Sequence, residues 1–142
     1  MTSNTIQTGN TEVAEQLDAQ IALVLVRLTI GAMSIWVFFE NLGNAPTRQM
    51  AFMANHASMV APIQALTEIS LGVLLVLGLL TRPVALMACM FLASLWVSEW
   101  GTAWIWELLV PVLASFALSV GRAGAWGVDA ILARRRPSAI WW

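Results

Sequence analysis

Four carboxylates, Glu40, Glu68, Glu99 and Glu107, and one guanidinium, Arg27, stand within or at the ends of strongly apolar stretches. An ionisable side chain at the centre of a bilayer costs roughly 2.5–3.5 kcal/mol even on a lenient insertion scale, so a charge kept there is a candidate for chemistry. Glu68 and Glu107 carry the most weight, because each lies in a stretch that otherwise lacks charge. A carboxylate sheltered from water is suited to exchanging protons with a bound redox molecule such as a quinone, and Trp104 and Trp106 offer indole faces for its ring. Gly72, one turn after Glu68, leaves room for a neighbouring helix or a ligand, and Pro111 frees the Glu107 carbonyl four residues earlier. The competing reading is that both carboxylates hydrogen-bond helices together. Glu40 and Glu99, nearer the ends of their stretches, are more simply directed to headgroups or water.

The remaining polar candidates read as structure. Arg27 can reach a carbonyl, the headgroups, or Asp129 beyond the last apolar stretch. His56 is the only histidine; with Glu68 and Glu107 it would make a mixed imidazole–carboxylate metal set, but without a spaced second histidine a solvated loop residue is the favoured reading and no metal site is assigned. Cys89 is the only cysteine, so disulfides within the chain and cysteine-built redox or zinc sites are excluded. Redox chemistry would need a bound cofactor, a quinone or a partner. No covalently bound cofactor is expected.

Composition says where these residues must be held. Of 142 residues, 59% are hydrophobic and 11% charged, and the mean hydropathy is +0.77. A soluble domain has about 25% charged residues, so this chain cannot cover a water-facing surface and is read as a membrane protein. Seven arginines, no lysine and a net charge of −1 leave no basic face for nucleic acid.

A hydrocarbon core about 30 Å thick needs about 20 helical residues, and four stretches approach this: about 21–42, 61–80, 84–99 and 104–120. Residues 1–19 form a polar tail, helical from about Thr11, without the basic start of a secretory signal. Residues 43–60 between the first two spans suit a short surface helix, and Thr81-Arg82-Pro83 forms a tight turn between the second and third. The expected fold is all-α: an integral membrane four-helix up-down bundle filling residues 20–132, with residues 133–142 a basic and aromatic tail.

Arg82, Arg122, Arg134, Arg135 and Arg136 fall on the side of both termini and only Arg48 on the other, which makes both termini cytoplasmic. All four span carboxylates then gather in the outer half. Glu68 lies about 10 Å below the outer surface at 1.5 Å per residue. The tryptophans are most simply interface anchors.

Several segments together resemble the DoxX/DoxD-like family of small four-helix bacterial and archaeal membrane proteins. They are VRLTIG with Arg27 and Gly31, EISLGVLLVLGLLTRP from Glu68 to Pro83, WELLVPVL with Glu107, and GRAGAWGVDAIL with Asp129. The resemblance marks Arg27, Glu68, Glu107 and Asp129 as the matched polar positions. It implies a multi-pass protein of the cytoplasmic membrane in contact with lipid. It further implies a membrane subunit of a thiosulfate:quinone oxidoreductase, with quinone as cofactor and a separate protein subunit as partner, with oligomerisation left open. The alternative is a non-catalytic scaffold or accessory subunit of a larger respiratory or photosynthetic complex.

Overall fold

A computed structural model describes residues 3–43, 57–98, 105–121 and 126–135. Within them the chain is entirely helical: α1 Ser3–Gly43, α2 Ala57–Leu77, α3 Thr81–Ser98, α4 Ile105–Val120 and α5 Val128–Arg135. The surface helix expected near residues 43–60 falls mostly outside the described residues.

α1 corrects the expected polar tail. It begins at Ser3 rather than near Thr11 and runs unbroken into the apolar stretch, a helix of 41 residues without an internal proline. Its segment Glu12–Glu40 is long and apolar enough to cross a membrane, while the apolar parts of α2, α3 and α4 are shorter. α5 is the element that the sequence reading lacked. Its last residues, Ala133 to Arg135, were expected in a C-terminal tail, but they complete two turns that begin with Asp129 in the first and end on Arg134 and Arg135, an arrangement that complements the helix dipole.

The link between α2 and α3 lies earlier than expected. Residues 78–80 make the turn, and Thr81-Arg82-Pro83 is already the first turn of α3. Proline lacks an N–H, which costs nothing in a first helical turn where that donor has no partner within the helix. The reversal itself needs a left-handed residue, and Gly78 supplies it at φ 64°; Leu80 follows at φ 51°. Gly78 N–H donates to the Leu75 carbonyl at 3.1 Å and Leu79 N–H to Leu74 at 3.0 Å, closing the end of α2 in a Schellman motif.

The most extensive helix contacts join α1 to α2 and α3 to α4; α2 also meets α3, and α1 meets α4. The α1–α2 crossing is glycine on glycine. A methyl group at Gly31 would lie 2.8 Å from Val76 Cγ2 and 3.0 Å from the Gly72 carbonyl, and one at Gly72 would lie 2.9 Å from the Gly31 carbonyl. The room that Gly72 leaves is thus taken by α1, as small residues permit where helices associate in lipid.

Apolar side chains lie both inside and outside the helix assembly. The core is small, with Leu75, Ala85, Ala88 and Leu118 nearly or wholly buried, and it also encloses Arg27, Glu68, Thr81, Ser115 and Asp129. Many outward positions on the long helices carry exposed apolar side chains, among them Trp36, Leu66, Met90, Val110 and Phe116. Exposed hydroxyls turn back on their own helices: Thr29 donates to the Leu25 carbonyl at 2.9 Å and Thr67 to Ile63 at 2.8 Å, so neither polar group faces an apolar medium unpaired.

Candidate functional site

Among the described residues charge is buried at two places, and they are built differently. At the first, α1, the α2–α3 turn and the start of α5 converge on Arg27 and Asp129, which are 2% and 1% exposed. The Asp129 carboxylate accepts from two backbone donors forty-eight or more residues away in sequence: Leu80 N–H on Oδ1 and Thr81 N–H on Oδ2, both at 2.7 Å. These are the donors that the beginning of α3 leaves without partners inside the helix, and an anion there also meets the positive end of the helix dipole. Charge-assisted bonds of this length are among the stronger ones in proteins. Asp129 N–H in turn donates to the Gly78 carbonyl at 2.9 Å, so backbone and side chain both dock α5 on the turn.

Arg27 completes this knot through its charge, which interacts with Asp129. Its guanidinium fits only because two glycines flank it: a methyl group at Gly78 would stand 2.6 Å from Nη1, and one at Gly127 2.9 Å from the same atom. Gly78 and Gly127 also touch each other, since a methyl group at Gly78 would be 2.9 Å from the Gly127 Cα. Of the partners open to Arg27 in the sequence, the fold brings up Asp129. Neighbouring Arg82, expected only to mark the membrane side, caps α4: Nη2 donates to the Val120 carbonyl at 3.1 Å and Nε to Gly121 at 3.4 Å.

The second place is Glu68. It sits mid-way along α2, is 3% exposed, and accepts a hydrogen bond on Oε1 from the Gln64 amide one turn earlier at 3.2 Å. The amide and the carboxylate place a donor and an acceptor side by side inside an apolar helix. Glu107, paired with Glu68 in the sequence reading, is exposed and occupies the first turn of α4, where a carboxylate is favoured by the helix dipole whatever else it does. Glu40, at the far end of α1, is also exposed. Trp104, Glu99 and His56 lie outside the described residues, and for Trp106 only the backbone is described. Among the described residues no cluster of three or more His, Cys, Asp or Glu side chains stands ready to hold a metal.

Among its described residues the chain is all-helical, with one helix long and apolar enough to cross a membrane and with buried charge at Arg27, Glu68 and Asp129. The DoxX family model matches residues 22–100, more than half of the sequence, and the chain belongs to the DoxX family. That range includes Arg27, Gly31, Glu68, Gly72 and Gly78; Glu107 and Asp129 lie beyond it. No curated protein and no solved structure matches the chain.

Proposed function

We propose that the chain is the membrane subunit of a quinone-linked sulfur oxidoreductase, with thiosulfate as the donor class, and that Glu68 is its proton-exchanging group. In this reading the four long helices form an up-down transmembrane bundle in the cytoplasmic membrane of a bacterium or archaeon, with both termini on the cytoplasmic side. The observation that carries the reading is the burial of Glu68. A carboxyl group buried within an apolar helix is an expensive arrangement for mere helix adhesion, which Gly31 and Gly72 already provide.

The donor set fits a quinone headgroup, since the Gln64 amide can donate to a carbonyl oxygen and the Glu68 carboxyl group can give or take a proton at a hydroxyl. A bound quinone supplies an electron acceptor that takes up protons as it is reduced. Gln64 orients by hydrogen bonding, Glu68 holds the proton, and the apolar faces of the helices exclude water around both. Glu107, with Trp104 and Trp106 close to it in sequence, belongs to the rim of the same outer half in this arrangement. Electrons reach the site from the sulfur donor through a separate protein subunit.

Thiosulfate-dependent quinone reduction in native membranes tests the roles. Glu68→Gln is expected to lower the rate by about 10²-fold, the lower range for a lost general acid or base. Unchanged rates in both Glu68→Gln and Glu107→Gln would sink the assignment. Stoichiometric co-elution with a large complex that has no thiosulfate activity would make the chain an accessory subunit instead.

A further inference from the structure

α1 is longer than the bundle it belongs to. It has 41 residues, whereas α2, α3 and α4 have 21, 18 and 16. The shorter helices end or turn near one level: residues 78–80 join α2 to α3 where Gly78 meets Arg27, and α4 stops at Val120, next to Gly121 and Leu23. Residues 3–22 of α1 extend past that level by about 30 Å at 1.5 Å per residue.

An apolar face of α1 crosses this level without a break. Val13 is 66% exposed, Leu17 46%, Ile21 37%, Leu25 59% and Leu28 38%. With about 100° between successive residues the five fall within about 120° of arc, and Arg27 and Ile30, buried against the other helices, fall outside it. Glu12, Glu15 and Asp18 lie about 100–160° from the centre of the part formed by Val13, Leu17 and Ile21, so all three exposed acids occupy the back of the helix. Residues 1–26 contain no basic residue.

The position of this face restricts what can cover it. Lipid can cover Leu25 and Leu28, but Val13 stands about 12 Å outside a span that begins at residue 21. A soluble partner can reach Val13 and Leu17 but not the residues in hydrocarbon. An occupant that covers both is a helix that crosses the membrane parallel to α1 and projects as far beyond it. α2, α3 and α4 are too short, whereas a second α1 has both the length and the matching face.

We propose that the chain forms a parallel homodimer in which the α1 helices of two copies pack face to face from Val13 to Leu28. The inference rests on the transmembrane placement proposed above and not on the redox role. A twofold axis along the membrane normal keeps every residue at its own height, so each residue of the face meets its counterpart: Val13 on Val13, Leu17 on Leu17, Ile21 on Ile21. The acids then point away from the contact. With helix axes 8–10 Å apart and a side-chain radius of about 5 Å, they stand about 20 Å apart across the dimer, beyond the screening length of about 8 Å at physiological salt. The shared membrane orients both copies and raises their effective concentration, which lets a contact of about four helical turns hold.

The test uses the full-length chain in membranes, in a Cys89→Ala background that removes its only native thiol. Val13→Cys and Leu17→Cys are each expected to oxidise to a disulfide-linked species of twice the chain mass, and Glu15→Cys, on the back, to cross-link at least about tenfold more slowly. Energy transfer between chains labelled at the C-terminus, diluted in zwitterionic vesicles, reads the equilibrium. Leu17→Asp sets two carboxylates face to face in the contact and is expected to weaken association by at least about 100-fold. Glu12→Gln with Glu15→Gln and Asp18→Asn is expected to change it by less than about twofold. These positions are exposed in the single chain, so each variant is expected to keep its circular dichroism and its resistance to alkaline extraction. Equal cross-linking at Glu15→Cys, a cross-linked product of any other mass, a monomeric wild type in vesicles, or undiminished association of Leu17→Asp would each overturn the proposal and leave the transmembrane placement standing. Release of the wild type from membranes by alkaline extraction would overturn both.

Discussion

The Arg27 end and the Glu68 level of this bundle both bury charge, yet they do so under different rules. Around Arg27 the charges are opposite, and the carboxylate has backbone donors on both oxygens; three chain segments and two glycines are shaped around the pair. At Glu68 the carboxylate accepts from a neutral amide one turn earlier on its own helix. The first arrangement serves architecture, since the opposite charge and the two backbone donors on the carboxylate offset part of its desolvation, although Arg27 Nε is buried without a hydrogen-bond acceptor. At the second a carboxyl group is buried on an apolar helix, the setting in which the proton exchange proposed for Glu68 would be useful. Burial alone therefore does not nominate a functional residue; the kind of group that meets the charge matters as well.

The sharpest way to break this contrast is at Asp129. Asp129→Ala removes the cap of α3 and leaves Arg27 buried beside no carboxylate, so a loss of about 3–5 kcal/mol is expected, the range for removing one partner of a buried pair. Chemical unfolding in detergent, followed by far-ultraviolet circular dichroism, measures it. A loss below about 1 kcal/mol would mean that the knot is ornamental and that the two regions do not differ as described. A smaller effect is expected at Gly78→Ala. That substitution places a methyl group 2.6 Å from Arg27 Nη1 on a backbone at φ 64°, and about 1–3 kcal/mol of combined overpacking and left-handed strain should follow in the same unfolding assay.

Much of this architecture is legible in the sequence, and the missing part has a physical reason. Four apolar stretches of the sequence coincide with the four long helices, which satisfy their backbone groups internally. The start of α1 is not legible that way: residues 3–19 are polar and lack an apolar run, while their helical character rests on good helix formers such as Ala14, Glu15, Gln16 and Leu17 and on the helix that follows them. α5 escapes for a similar reason, since eight residues with two arginines make a weak periodic signal and their helix is fixed by the tertiary bonds of Asp129. Arg27 and Asp129 are individually conspicuous as charges near apolar stretches, and Asp129 was one of several partners open to Arg27. What selects it is the turn geometry of Gly78 and Gly127, two glycines whose role emerges only when the turn and α5 are brought together. Glu68 and Glu107 look equivalent as letters in apolar runs. Their separation into a buried mid-helix group and an exposed first-turn group depends on which way each helix faces, which the spacing of so few polar residues leaves undetermined.

The smallest effects sharpen the contrast from the other side. Glu68→Gln keeps the size of the side chain and its carbonyl oxygen, so the Gln64 amide retains an acceptor and no cavity opens. The bond at 3.2 Å is long for a charge-assisted pair, and its loss of charge is expected to cost no more than about 1 kcal/mol. Glu107→Gln, at an exposed first-turn position, forfeits only a helix-dipole contribution of about 0.3–1 kcal/mol. Measured beside Asp129→Ala, the two glutamate variants should unfold close to wild type, even where Glu68→Gln slows quinone reduction. If Glu68→Gln instead costs as much as Asp129→Ala, Glu68 is holding the bundle together, the two buried sites obey the same rule, and the case for proton exchange at Glu68 falls with the contrast that supports it.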